Sequence, residues 1–135
     1  MPLFTRSLQQ GWVVIEEGKH VFVATKEAVT ESSSLYAQGG IAVSLAESKS
    51  IESHLNDTLK ASTHLCNLDV SREIIEYSKI GFEKLVNYGV KFDINSNGLL
   101  QKTKEAAHSL PRVYHVGGDA SGRFITKAII DIACR

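Results

Sequence analysis

Two cysteines, no excess of either charge and no long apolar run are the first features of this 135-residue sequence. Cys66 and Cys134 lie far apart and form no C-x-x-C pair, which excludes a zinc knuckle and a disulfide framework and fits a reducing compartment. Fifteen Lys and Arg balance 15 Asp and Glu, and neither sign forms a long run. The chain therefore carries no electrostatic footprint for nucleic acid or an anionic membrane surface, and charge names no partner. No stretch approaches the ~20 apolar residues that span a bilayer. Polar Ser7, Gln9 and Gln10 follow the first six residues, where a signal peptide would have its apolar segment. These absences lead to the expectation of a cytoplasmic protein. Repeats, low-complexity tracts and linkers rich in Pro, Gly or Ser are also missing, which leaves one compact unit. Without a G-x-S-x-G elbow, a hydrolase built on Ser109, His108 or His115 and Asp119 rests on residue types alone. No residue cluster calls for a metal.

The composition that remains, 43% hydrophobic and 22% charged, is that of an ordinary soluble domain with one modest core. β-branched apolar runs at 13–15 and 21–25 read as strands around a charged turn. Ser50 reads as the N-cap of a helix with Ile51, Leu55 and Leu59 on its apolar face and an end near Cys66, which turns His54 and His64 outward or into caps. From Asp69, two apolar stripes flank Gly81 and stop at Gly89, as two short helices or one kinked helix. Segments 90–94 and 99–102 flank Asn95-Ser96-Asn97-Gly98, a signal for a tight hairpin. Residues 103–118 lack periodicity but hold Glu105, His108, Arg112 and His115, a polar loop suited to a site. Asp119 is then placed to cap a helix carrying Ile125, Ala128, Ile129 and Ile132. That helix reaches Arg135 without a stop signal, so the chain is expected to be a truncated piece.

The run from Val23 through Lys26, Ser32-Ser33-Ser34-Leu35 and Tyr36-Ala37-Gln38-Gly39-Gly40 to Val43 resembles the second strand and flavin loop of the L-aspartate oxidase family. Glu52-Ser53-His54, Asp57-Thr58-Leu59, Leu65-Cys66, Gly89-Val90 and Phe92-Asp93 resemble the same family in the same order. Glu105-Ala106-Ala107-His108-Ser109 is similar to its Glu-Gly-Gly-His-Ser substrate loop, and Arg112 to Gly122 to its Arg-x-x-His…Asp-Ala-Thr-Gly segment. The match runs from about Glu17 to about Ile130. The Ala-Gln-Gly-Gly loop is shared with succinate dehydrogenase and fumarate reductase flavoproteins, so alone it identifies the superfamily.

The resemblance implies an α/β fold: a partial Rossmann-like FAD-binding domain over residues 1–135, with a parallel strand at 21–25 and a small β-hairpin, lacking the first strand and the capping domain. It implies noncovalent FAD, because Ser33 stands where the dehydrogenases carry the histidine that bonds to the flavin. Lys26 would meet a ribose or phosphate, and Ser33, Ser34, Leu35, Tyr36, Ala37, Gln38, Gly39 and Gly40 would cross the flavin. Glu105 would orient the substrate ammonium and His108 would donate to a substrate carboxylate, while Arg112 is expected in a local salt bridge and His115 in packing. The implied reaction is oxidation of L-aspartate to iminoaspartate on the route to NAD, with oxygen or fumarate reoxidising the flavin. The alternatives are a fumarate reductase or succinate dehydrogenase type flavoprotein and a noncatalytic module binding through helices near 51–66 and 120–134. Three departures from the family bear on activity. No G-x-G-x-x-G precedes Val21, Ala106-Ala107 replaces Gly-Gly, and the family's substrate-binding arginine and histidine lie beyond the matched region. The chain alone is therefore expected to be inactive and to self-associate through uncovered apolar faces.

Overall fold

The computed structural model describes Ala28 and residues 31–45, 48–63 and 65–133. The predicted strands at 13–15 and 21–25, together with Lys26, His64 and Cys134, lie outside the described residues. The order is β1 (Ile41–Ala42), α1 (Ser48–Ala61), α2 (Leu68–Asn87), β2 (Val113–Tyr114) and α3 (Ser121–Ala133).

Helix α1 buries His54, Leu55 and Asp57. His54 therefore points inward, not outward as expected: it lies one turn from Thr58 beside Leu55. Its burial is tolerated because Nδ1 meets the Ser44 hydroxyl at 3.1 Å. The helix ends at Ala61, short of Cys66. In α2 the N-cap is Asn67, whose side chain accepts from the Val70 N–H at 3.1 Å. Twenty residues then run as one helix through Gly81. The stop at Gly89 follows the Schellman pattern: Gly89 has φ +87, its N–H donates to Val86 and the Val90 N–H to Leu85.

The Asn95–Leu99 turn differs from a two-residue hairpin. Only Gly98 has positive φ, and Gly98 N–H donates to the Asn95 carbonyl while Asn95 N–H donates to Leu99. This is a type I turn closed by a glycine bulge. Pairing extends only to one bridge, Ile94 to Leu100, and both of those side chains are exposed.

The sheet among the described residues is antiparallel and two-stranded, with Ile41 opposite Tyr114 and Ala42 opposite Val113. Residues 103–118, which lack periodicity, thus hold a buried strand; two residues are too few to show alternation. Val43, Phe82, Leu85, Val90, Phe92, Tyr114, Val116 and Ile129 form the core, with Phe82 stacked on Phe92 at 4.2 Å. Helix α3 begins at Ser121, and Asp119 does not cap it. Instead the Ser121 hydroxyl accepts from the Val116 N–H at 3.0 Å and anchors the turn that precedes the helix. No helix among the described residues is long and apolar enough to cross a membrane.

Two glycines are sites of backbone contact. A Cβ at Gly122 would lie 2.2 Å from the Ser34 carbonyl oxygen, and one at Gly40 would lie 2.5 Å from that of Tyr114. Gly81, within α2, has nothing within 4 Å. We expect Gly40→Ala and Gly122→Ala each to cost about 1–3 kcal/mol, and Gly81→Ala to add up to ~1 kcal/mol. Urea midpoints at unchanged slope would check all three.

Candidate functional site

Residues 32–40 form a compact turn that opens onto β1. The Leu35 N–H donates to the Ser32 carbonyl at 3.0 Å and the Ala37 N–H to that of Ser34 at 3.3 Å. Ser34 is buried, Leu35 and Gly39 are half-buried, and Ser33, Tyr36, Ala37, Gln38 and Gly40 are exposed. The Tyr36 hydroxyl donates to Glu31 Oε2 at 3.0 Å, and that carboxylate raises the phenol's pKa. The N–H groups of Gln38 and Gly39 have no acceptor among the described residues, and the space about Gly39, at φ +86, is open. Two contacts fix the turn. The Gly122 N–H of α3 donates to the Ala37 carbonyl at 3.0 Å. On the other side, Gly40 lies so close to β2 that its Cβ would meet the His115 ring at 3.1 Å.

The 103–115 loop therefore faces the turn through β2. Thr103 bridges back to Val113, and Ala106 adopts φ +46. The loop keeps a conformation suited to glycine even though alanine occupies it. Glu105 Oε1 accepts from the Thr103 hydroxyl and pairs with His115 Nε2, each at 2.7 Å. The Thr103 hydrogen bond, then the His115 contact, lower the Glu105 pKa. His115 is thus the partner of Glu105, beyond the packing role expected from sequence.

The second cluster is buried. Arg112, 2% exposed, reaches Asp57 Oδ2 at 2.7 Å and Ser53 Oγ at 2.8 Å, both on α1. This is a long-range pair across 55 residues, not the local salt bridge expected. Asp57 Oδ2 also accepts from the Ser109 N–H at 2.7 Å and the Ser109 hydroxyl at 2.8 Å. Burial pushes the Asp57 carboxyl up, but the Ser109 donors and the Arg112 guanidinium outweigh it and hold it down at about 2. Arg112 Nη1 lies 3.3 Å from His108 Nδ1, and the His108 ring meets that of His54 edge-on at 5.1 Å. Burial, then Arg112 and His108, push His54 down to about 4.

The sequence places Glu105 and His108 together on one loop, and residues 33–40 together on another. It misses Ser53, His54, Asp57 and Arg112 as a cluster. The available signal was the Ser53-His54 and Asp57 spacing, which puts His54 and Asp57 one turn apart on α1.

Two predictions follow from this geometry. The unfolded chain takes up a proton on His54 near its ordinary 6.5, whereas the fold resists protonation to about 4. Stability is thus full above pH 6.5 and falls by up to about 3 kcal/mol on acidification to pH 4. Asp57 acts lower, its contribution lasting down to 3.8 and disappearing towards 2. Urea unfolding at pH 7 and pH 5 reads the first effect, and His54→Gln flattens it. Ala106→Gly relieves the left-handed alanine and should stabilise the chain by ~1 kcal/mol, read from the same midpoints.

Comparison with known proteins places the chain. Residues 11–133 match the FAD binding domain family. L-aspartate oxidase from Mesorhizobium japonicum is 43% identical over 106 residues, 78% of this chain and 21% of that protein. The Bacillus subtilis L-aspartate oxidase is 43% identical over 105 residues, 78% of this chain and 20% of that protein. A solved E. coli quinol fumarate reductase superposes with a TM-score of 0.84 at 16% identity, covering 95% of this chain and 22% of that one, which speaks to fold alone. The chain spans about a fifth of the length of these curated relatives. Because the family match spans all but the first ten and last two residues, this chain belongs to the FAD binding domain family.

Proposed function

We propose that the chain is the part of an L-aspartate oxidase that carries the flavin loop and one substrate-facing loop, within a Rossmann-like domain. The observation that carries this reading is the β1–β2 pairing, which sets Gly40 against the His115 that holds Glu105.

The turn has the features a flavin needs. The N–H donors of Gln38 and Gly39 are unspent among the described residues, Gly39 leaves open space, and Ser33 offers an exposed hydroxyl. Residues 33–40, with Lys26 beyond the described residues, hold FAD noncovalently; when bound, it supplies the two-electron acceptor. Glu105 is ionised, and its Oε2 has no partner among the described residues, so it can pair with the ammonium of L-aspartate. His115 and Thr103 fix the other oxygen and with it the direction of the carboxylate. His108 donates to a substrate carboxylate. In the full-length enzyme the outcome is iminoaspartate, on the route to NAD, with oxygen or fumarate as final acceptor. The Ala37-Gln38-Gly39-Gly40 loop, which resembles that of succinate dehydrogenase and fumarate reductase flavoproteins, favours one second reading, a flavoprotein that acts on succinate or fumarate.

The test is a flavin titration of the chain by fluorescence and absorbance, followed by ligand addition to the FAD-loaded, 15N-labelled protein. FAD should bind saturably and come free on acid precipitation. L-aspartate should shift the Glu105 and His108 signals, Glu105→Gln should abolish the response, and the flavin should not bleach in this chain alone. Succinate shifting these signals more than L-aspartate would select the second reading. Flavin retained by the precipitated chain would contradict noncovalent binding.

A further inference from the structure

Arg112 is the most deeply buried cation among the described residues, and it touches a residue of the proposed substrate loop. Its guanidinium spans Asp57 Oδ2 at 2.7 Å and Ser53 Oγ at 2.8 Å, and Nη1 reaches His108 Nδ1 at 3.3 Å. A guanidinium has five N–H donors and no lone pair, so in any hydrogen bond with it the imidazole nitrogen must accept. Nδ1 of His108 therefore presents its lone pair to Arg112, and the proton of the neutral ring is on the other nitrogen. A proton on Nδ1 would set two donors face to face. Arg112 cannot turn away to avoid this, because Asp57 and Ser53 hold it inside, 2% exposed.

We infer that Arg112, fixed by Asp57 and Ser53 of α1, is a positioning residue that locks His108 as the Nε2–H tautomer, so that the loop offers a hydrogen-bond donor to an anionic ligand oxygen. The lock stands on contacts within this chain; that its ligand is a substrate carboxylate rests on the functional reading above. Nε2 has no partner among the described residues, so its donor is unspent within them. The device resembles the second-sphere control of metal-bound histidines, where the hydrogen bond at one ring nitrogen sets the role of the other. Here the controlling group is a cation in place of a carboxylate, and it selects the opposite nitrogen for the proton.

The experiment is a two-bond 1H–15N correlation spectrum of the full chain labelled with 15N-histidine at pH 8, with the His108 signals assigned by their loss in His108→Gln. The expected pattern has a bare Nδ1 and a protonated Nε2. A protonated Nδ1, or an averaged mixture, in the wild-type chain overturns the lock without recourse to any variant. Arg112→Met should release the ring to a mixture of tautomers. Ser109→Ala, which removes a donor to Asp57 and the 3.0 Å contact with Ser53 Oγ but none of the contacts of Arg112 itself, should leave the pattern unchanged; a changed pattern there would assign the control to loop packing and contradict the proposal. Because Arg112→Met strips Asp57 of its cation and can unfold the chain, Ser53→Ala provides a milder variant, expected to add some of the second tautomer. No such change would count against Arg112 as the cause. L-aspartate should then move the His108 Nε2 signal. An Nε2–H pattern that L-aspartate does not move refutes the assigned ligand and leaves the lock standing, so the two failures are distinguishable.

Discussion

The buried ion pair between Asp57 and Arg112 is the constraint on which the rest of the site depends. Both side chains are almost fully excluded from water, where an unpaired charge would be costly, and one carboxylate oxygen accepts from Arg112 and twice from Ser109. Removing one member of such a pair costs about 3–5 kcal/mol, because the other charge is left buried alone. The pair draws the 103–112 loop onto α1. It also sets the backbone of Arg112, whose carbonyl accepts the Val43 N–H at 2.9 Å at the end of β1. The strand that follows the 33–40 turn is thereby registered by the same residue that contacts His108.

From that anchor the two loops come together through backbone contact more than through side chains. Gly40 lies against the Tyr114 carbonyl and the His115 ring, and Gly122 against the carbonyls of Ser34 and Ala37. Each approach excludes a Cβ, so the turn at 33–40 is held between β2 and the start of α3 with little freedom to drift. The flavin role proposed for this turn benefits from such support, since donors that are already oriented lose little entropy when a ligand arrives. Glu105 is half-exposed at the same junction, oriented by Thr103 and His115.

Much of this arrangement was legible in the residues, and the illegible parts have physical reasons. The Gly89 stop was readable because a left-handed C-terminal cap depends on a single residue type. The core face of α3, with Ile125, Ala128 and Ile129, followed from helical periodicity. The inward turn of His54 was not readable, because a polar residue on an apolar face is decided by its partner, and Ser44 lies ten residues away. Whether the segment around Gly81 formed one helix or two was also open, since propensity disfavours an interior glycine by only ~1 kcal/mol, which packing on both sides outweighs. Strand β2 and the Asp57–Arg112 pair were hidden for a common reason: short pairings and long-range ion pairs leave no period in the sequence. The family resemblance supplied the proposed roles of the 33–40 turn and Glu105, and gave no role to Asp57 or to the His115 contact.

Native-state hydrogen exchange on the chain, with and without FAD, tests most directly whether the 33–40 turn and the 103–112 loop form one unit around the buried pair. The N–H groups of Val43, Ser109 and Gly122 should open with one common free energy, and FAD should slow exchange at Gln38 and Gly39. Separate opening energies for Val43 and Ser109, or exchange at Gln38 and Gly39 that FAD leaves unchanged, would contradict this reading.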